Sequence, residues 1–257
     1  MSGSRLKWIA IITMLIDHIG AAIIEHYIRY TDWAVKGMEA RELFYNLDLL
    51  LRSIGRMAFP IFIFLLVEGF FHTRSRLKYL LRLSVFCIIS DIPFDLAVVL
   101  SNNSIRNGTF WTFSYQNVFF TLTLGFLGMM ILEKIHEKIP NILVTVISFA
   151  AVAGGLYAAA EFLNTDYGGA GVEAILTAYA LKKYAVDTGR LPAQSEMIGT
   201  VIVLAVLCNL NEAIAIVDTI FIRQYDGSRG KTISKWFFYI FYPAHLFILF
   251  LIRYWLF

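Results

Sequence analysis

The sequence predicts an all-α fold, a polytopic transmembrane helix bundle of about nine spans (eight to ten fit the apolar segments), some of them half-length. Three observations lead there. Of the 257 residues, 58% are hydrophobic and 16% charged, and mean hydropathy is +0.66; soluble domains run at roughly 45–50% and about 25%. Apolar runs near the ~20 residues that cross a bilayer as helix recur along the chain. Finally, Lys and Arg gather between alternate runs, as they do in chains sorted by the positive-inside rule. This composition excludes a cytosolic enzyme domain, a disordered chain and a small disulfide scaffold. A net charge of +3, with its bases in short clusters, also argues against a nucleic-acid partner.

The segments read as spans are 6–27, 53–71, 79–100, 117–132, 142–162, 171–181, 197–210, 212–222 and 236–257. Arg5 and Lys7 at the head of the first run resemble a signal peptide. Asp17-His18 interrupts that run, however, and no small-x-small cleavage site follows, so it reads as an uncleaved span. Three of the nine runs are shorter than a clean span. The basic residues arbitrate: with nine spans and a cytoplasmic N-terminus, fifteen of the 22 Lys and Arg fall inside. The inside groups are Arg5 and Lys7; Arg74, Arg76, Lys78 and Arg82; Lys134 and Lys138; Lys182, Lys183 and Arg190; and Arg223, Arg229, Lys231 and Lys235. Fusing 197–222 into one helix would put the last group outside, so Asn209-Leu210-Asn211-Glu212 reads as a turn between half-length helices. The expected location is the inner or plasma membrane, as a multi-pass, single-domain protein.

The two longest outer segments, 28–51 and 101–116, are read as loops. The aromatics of the second (Phe110, Trp111, Phe113, Tyr115) suit either interface anchors or the lining of an acceptor entrance. Cys87 and Cys208 lie in apolar runs and read as small buried hydrophobes without a disulfide. Gly55, Gly69, Gly125, Gly128, Gly154 and Gly155 predict close helix packing. The 166–171 segment, Asp-Tyr-Gly-Gly-Ala-Gly, reads as either a cavity-lining bend or a tight turn.

Ionisable groups inside spans are costly and normally face a partner or a wet cavity. His18 lies about 20 Å from the inner end at 1.5 Å per residue, beside Asp17, and His245 about 14 Å into the last span. Arg52 and Arg56 share one helix face, as do Asp91 and Asp95 around Pro93. Together these groups read as either a structural ion-pair network or a catalytic set. In the second reading His18 is a general base, oriented by Asp17, Asp91 or Asp95. Pro243 is expected to loosen the last helix and turn His245 into the bundle. Near the inner face, Glu68, His72 and Arg76 recur every four residues and run into Arg74, Lys78 and Arg82. That cluster reads as ordinary inner-face topology or as a basic rim for the phosphates of a cytoplasmic cofactor. No Cys/His metal spacing, Walker loop, G-x-S-x-G elbow or dinucleotide fingerprint occurs, so chemistry here is expected to use histidine and carboxylate without a metal.

Seven stretches resemble the TraX family, in family order along nearly the whole chain: Leu15-Ile16-Asp17-His18-Ile19-Gly20, Arg52 through Pro60 (RSIGRMAFP), Glu68-Gly69-Phe70-Phe71-His72-Thr73, Asp91-Ile92-Pro93-Phe94-Asp95, Gln116 through Leu122 (QNVFFTL), Asp166-Tyr167-Gly168 and Tyr242-Pro243-Ala244-His245. Asp91 stands where family members often have Glu. TraX proteins are integral membrane acetyltransferases known for acetylating the N-terminus of conjugative pilin, and they are similar to the acyltransferase-3 and heparan-glucosaminide acetyltransferase assemblage. The resemblance implies acetyl-CoA as co-substrate and an acceptor that is a pilin, a peptide, a glycan or a small molecule. The residues themselves give His18, Asp17, Arg56, Asp91, Asp95 and His245 as the candidate catalytic set, Arg56 with Arg52 stabilising developing negative charge, and Arg52, Glu68, His72, Arg74, Arg76, Lys78 and Tyr242 as the candidate cofactor side. His245 is expected to act as a second acid/base or as a transient acetyl carrier. The competing classes are a membrane transporter or proton-coupled carrier, which uses the same buried Asp, Arg and His, and a non-catalytic membrane assembly factor.

Overall fold

Each of the nine expected spans lies largely on helix in the structure, with breaks at 56–57 and 208–209; it is a computed structural model that describes residues 1–191, 194–230 and 234–256, the side chains of Ala34 and Lys235 excepted. Among the described residues there is no strand, only an isolated Gln116–Thr165 bridge. The helices are α1 (Gly3–Ile19), continued through a π-helical turn Gly20–Ile24 into α2 (Glu25–Tyr30); α3 (Trp33–Lys36); α4 (Met38–Gly55); α5 (Ala58–His72); and α6 (Arg76–Phe94), continued as a π-helix Asp95–Val99. Then follow α7 (Asn102–Arg106), α8 (Val118–Lys138), α9 (Ile142–Phe162), α10 (Gly168–Thr188), α11 (Ser195–Leu207), a 3-10 helix Leu210–Val217, α12 (Asp218–Arg223) and α13 (Lys235–Leu256).

In hydrocarbon a helix must satisfy its own backbone, and starting one needs acceptors for its first N–H groups. The chain supplies them: Ser75 Oγ accepts from the Lys78 amide, Asn117 Oδ1 from Phe119, and Asn141 Oδ1 from Leu143 and Val144. Five helical stretches among the described residues are long and apolar enough to cross a membrane: Gly3–Tyr30, Met38–His72, Val118–Lys138, Ile142–Phe162 and Trp236–Leu256. The expected spans 79–100, 171–181, 197–210 and 212–222 lie on the remaining helices. Charges such as Arg76, Lys78, Arg82 and Asp91 interrupt α6. At 13 residues, α11 reaches only about 20 Å. The break expected at 209–212 is present: α11 ends at Leu207, and the 3-10 helix folds back against it.

The connections gather at two ends. At one, Met1 bonds to Gln224 and ion-pairs with Asp226, Gly3 takes the Ser228 carbonyl, Lys182 bridges Glu68 and Glu196, and Arg76 meets Glu133. At the other, Gln116 pairs with Thr165 and Arg56 with Glu212. The clustered basic residues thus collect at the first end; Lys231 lies outside the described residues, as does Phe257 of the last expected span. The outer segment 28–51 is not a loop. It forms α3 and α4, and α4 lies along α1, the π-turn and α2, held through Phe44 against Tyr27 and Trp33 and through Arg52 on Asp17, while most of its leucines stay exposed.

Glycine packing holds at four of the six expected positions. A β-carbon at Gly55 would overlap the Asp17 side chain, and one at Gly69, Gly125 or Gly128 would strike Tyr79, Ile175, or Leu156 and Leu176. Gly154 and Gly155 face open space on α9, whose apolar residues point outward, so no helix packs there. Cys87 is buried beside Thr123, but Cys208 is exposed, because it terminates α11 rather than lying inside a packed helix. Gly55→Leu should therefore destabilise the protein by about 1–3 kcal/mol, read as a lower Tm in detergent. Gly154→Leu should leave Tm unchanged; equal losses at both positions would contradict this packing.

Candidate functional site

The centre of the bundle holds a histidine pair. His18 on α1 and His245 on α13 are 8% and 4% exposed, and His18 Nδ1 lies 2.6 Å from His245 Nε2. Their ring planes differ by 10°, with centroids 4.9 Å apart. Because the nitrogens are so much closer than the centroids, the rings meet edge to edge, as a hydrogen bond requires. The tautomers follow from the next partner. His245 Nδ1 is 2.7 Å from the Phe241 carbonyl, which can only accept, so His245 carries its proton on Nδ1. Its Nε2 then accepts from His18 Nδ1–H, and His18 Nε2 is left with a bare lone pair. Helix α13 runs on through Pro243, and His245 turns into the bundle as expected.

This geometry replaces the expectation that a carboxylate orients His18. Asp17, about 100° around the helix from it, ion-pairs instead with Arg52 at 2.5 Å, where Gly55 lets α4 approach. Asp91 accepts from Trp111 Nε1 at 2.6 Å and from Asn117 Nδ2 at 3.1 Å, and Asp95 from the Thr112 amide at 2.6 Å. Both aspartates therefore strap the 109–117 segment to the end of α6. Trp111 and Tyr115, read as anchors or lining, serve that strap, Tyr115 through its hydroxyl to Asp166 at 3.0 Å. Arg52 and Arg56 diverge because the chain breaks between α4 and α5: Arg56 reaches Glu212 at 2.6 Å, and that carboxylate is 1% exposed.

Tyr242 stands edge-on to both histidine rings, at 5.8 Å from His18 and 5.7 Å from His245. Its buried hydroxyl makes no hydrogen bond among the described residues. The 166–171 segment is both turn and lining. Tyr167 adopts a left-handed φ of 63° and stacks on Phe59 at 3.9 Å, while the Asp166 carbonyl accepts from Thr121 Oγ1.

Of the cofactor-side residues, Tyr242 and Arg52 lie at this centre, whereas Glu68, His72, Arg74, Arg76 and Lys78 gather elsewhere. Glu68 pairs with Lys182 at 2.5 Å, and Arg76 with Glu133 at 3.3 Å and Glu137 at 3.8 Å, its guanidinium 4.2 Å over the Phe70 ring. Lys183 joins Glu133 and Asp187, and Tyr179 donates to Glu133. Carboxylates outnumber cations in this network, so its interior repels phosphate. His72, Arg74 and Lys78 lie exposed at its rim. Sequence reasoning missed Glu212 as the partner of Arg56, and missed Tyr179, Glu133 and Arg253. Glu212 carried a signal as a charge within a polar break, and Arg253 as a charge within the last apolar run.

A helical bundle with apolar outward faces and a buried polar centre defines an integral membrane protein with an internal site. The chain belongs to the TraX family, whose model, described as TraX protein, matches residues 2–253. Over 252 residues it is 29% identical to a protein of Dichelobacter nodosus described as "Probable fimbrial assembly protein FimC, serogroup H1", covering 96% of this chain and 94% of that one. No solved structure matches it.

The Arg56–Glu212 pair gives a stability test. Breaking a buried pair strands a charge and costs about 3 kcal/mol or more, whereas replacing both partners by apolar groups is often neutral. Arg56→Met should thus lower Tm in detergent more than the double variant Arg56→Met/Glu212→Met. Additive losses would mean that the two side chains are not coupled.

Proposed function

We propose that this protein is an integral membrane acetyltransferase that moves an acetyl group from acetyl-CoA to an amine or hydroxyl of an acceptor. The observation that carries this reading is the Nε2 lone pair of His18, left unprotonated by the chain His18 Nδ1–H to His245 Nε2 and His245 Nδ1–H to the Phe241 carbonyl. In the reaction the acceptor nitrogen or oxygen attacks the thioester carbon, and His18 Nε2 takes its proton. The C–S bond then breaks, and the proton passes to the departing CoA thiolate. As His18 becomes cationic, its Nδ1 proton shifts toward His245, so the charge is shared and ends against a carbonyl dipole.

Arg52 and Arg56 each give one hydrogen bond to a carboxylate and retain other guanidinium N–H groups. These, with the unused Tyr242 hydroxyl, are the oxyanion donors in this reading. His245 has both ring nitrogens engaged, which supports direct transfer over an acetyl-histidine relay. Asp17 and Glu212 hold the arginines, and Asp91 and Asp95 hold the 109–117 strap. Exposed Arg74 and Lys78 are the groups left to meet cofactor phosphates, with the clustered basic end and the N-terminus cytoplasmic in the inner or plasma membrane. The name of the Dichelobacter nodosus protein supports a fimbrial or pilin subunit as acceptor, its N-terminal amine being the group modified.

His18→Ala strands the His245 acceptor and should lower Tm in detergent, yet still insert and bind acetyl-CoA while losing acetyl transfer at least about 100-fold, measured with labelled acetyl-CoA and a pilin-type N-terminal peptide or a hydroxyl acceptor. Calorimetry on purified protein is the prior test. If acetyl-CoA and CoA neither bind nor raise Tm, the enzyme reading fails and a carrier or assembly factor takes its place.

A further inference from the structure

The turn that opens α10 holds a tyrosine where the backbone favours glycine. Tyr167 is the N-cap of that helix, with φ 63° and ψ 0°, and its side chain makes no cap hydrogen bond. A left-handed conformation strains an aromatic residue and is free for glycine, and N-caps are normally Ser, Thr, Asp or Asn. The capping is done from elsewhere, because Glu161 Oε1 accepts from the Gly169 amide at 2.8 Å. Neither turn nor cap therefore accounts for a tyrosine here. Strain of this kind gathers where a side chain is needed for function.

The surroundings clamp its ring. Phe59 stacks on it with centroids 3.9 Å apart and planes 17° from parallel. Gly171 leaves the room, since a β-carbon there would lie 2.7 Å from Tyr167 Cβ and 3.2 Å from the Phe59 ring. Phe59 follows Arg56 by three residues, so one short segment carries both the clamp and a guanidinium. The phenol lies within electrostatic reach of Arg56, Glu212, Asp166 and Asp17. Asp166 is in turn within reach of Arg52 and Tyr242, and Tyr242 stands against both histidine rings. The neighbouring carboxylates are already committed: Glu212 to Arg56, Asp17 to Arg52, and Asp166 to the Tyr115 hydroxyl. The Tyr167 hydroxyl gives no hydrogen bond among the described residues, and in this partly exposed residue it is not sealed. A rigid O–H beside a guanidinium, with no acceptor of its own, suits charge that develops only during a reaction.

We propose that Tyr167 is a further catalytic residue of the acetyl transfer, its hydroxyl donating with Arg56 to the oxygen of the thioester carbonyl. The assignment rests on the transferase reading above. As the acceptor attacks, the carbonyl π pair moves onto that oxygen, and both donors tighten on it. The pair returns when the C–S bond breaks, re-forming the carbonyl on the acetylated acceptor while CoA leaves with the C–S electrons. Tyr167 keeps its proton throughout, and the acceptor's proton goes to His18 Nε2.

Tyr167→Phe tests this, because it removes only the oxygen and keeps the ring against Phe59. In the full-length protein in detergent it should leave Tm and the calorimetric affinity for acetyl-CoA at the parent's values and lower kcat about 100-fold. An interaction made only in the transition state lowers kcat and kcat/KM together, so KM should not move. The pH profile should keep its shape, since the phenol does not ionise in this role. Tyr157→Phe, on α9 against Gly169, is the control and should keep the parent rate. The assignment is overturned if Tyr167→Phe keeps kcat within about threefold of the parent, if the loss lies in KM, or if Tm falls with it. An active parent beside an unaffected Tyr167→Phe overturns this assignment alone. A parent that transfers no acetyl group overturns the transferase reading and this assignment with it.

Discussion

The bundle depends on the register of α13 against α1. The two helices run in parallel, and a buried nitrogen–nitrogen hydrogen bond joins His18 to His245. Eight residues further along each, Arg253 faces His26. Polar groups in hydrocarbon have no water to fall back on, so a slip of one residue would strand two imidazoles and a guanidinium together. That cost pins the C-terminal helix to the N-terminal one and fixes the orientation of the His18 ring.

Around that pair, departures from regular helix sit where side chains must be re-aimed. A π-turn follows Asp17-His18, a second π-helix follows Pro93 and Asp95, and α11 gives way to a 3-10 helix that brings in Glu212. Each shifts the angular phase of the residues beyond it. Arg52 and Arg56 show the effect most clearly: four residues apart, they would share a face on an unbroken helix. The break after Gly55 sends one to Asp17 and the other to Glu212. The two ion pairs still belong to one cluster beside the histidines, since Asp17 and Asp166 lie within electrostatic reach of both arginines and Glu212 within reach of Asp17, whereas Asp91 and Asp95 are committed to the 109–117 segment.

Much of the fold was legible because a bilayer imposes a length and a charge bias that are written locally. The long apolar runs, the basic clusters at one end and the break at 209–212 all follow from those constraints. What escaped was non-local. Segment 28–51 looked like a loop because its apolar residues alternate with charges, yet it is helical, and Phe44 packs it against Tyr27 and Trp33 while most of its leucines stay exposed. Gly154 and Gly155 looked like packing sites because composition does not report which faces of a helix meet a neighbour.

For the site, the sequence by itself identified the unusual residues, since an ionisable group in an apolar run needs a partner whatever the fold. His18, His245, Asp17, Arg52 and Arg56 are all visible in that way. Only the tertiary structure decided the partners, because they come from helices far apart in the chain and depend on helix phase. It joined His18 to His245 rather than to an aspartate. It turned Asp91 and Asp95 toward the 109–117 strap, and it committed Arg76 to Glu133 and Glu137. The identity of a buried charge is a local property of the chain, whereas its partner is set by packing.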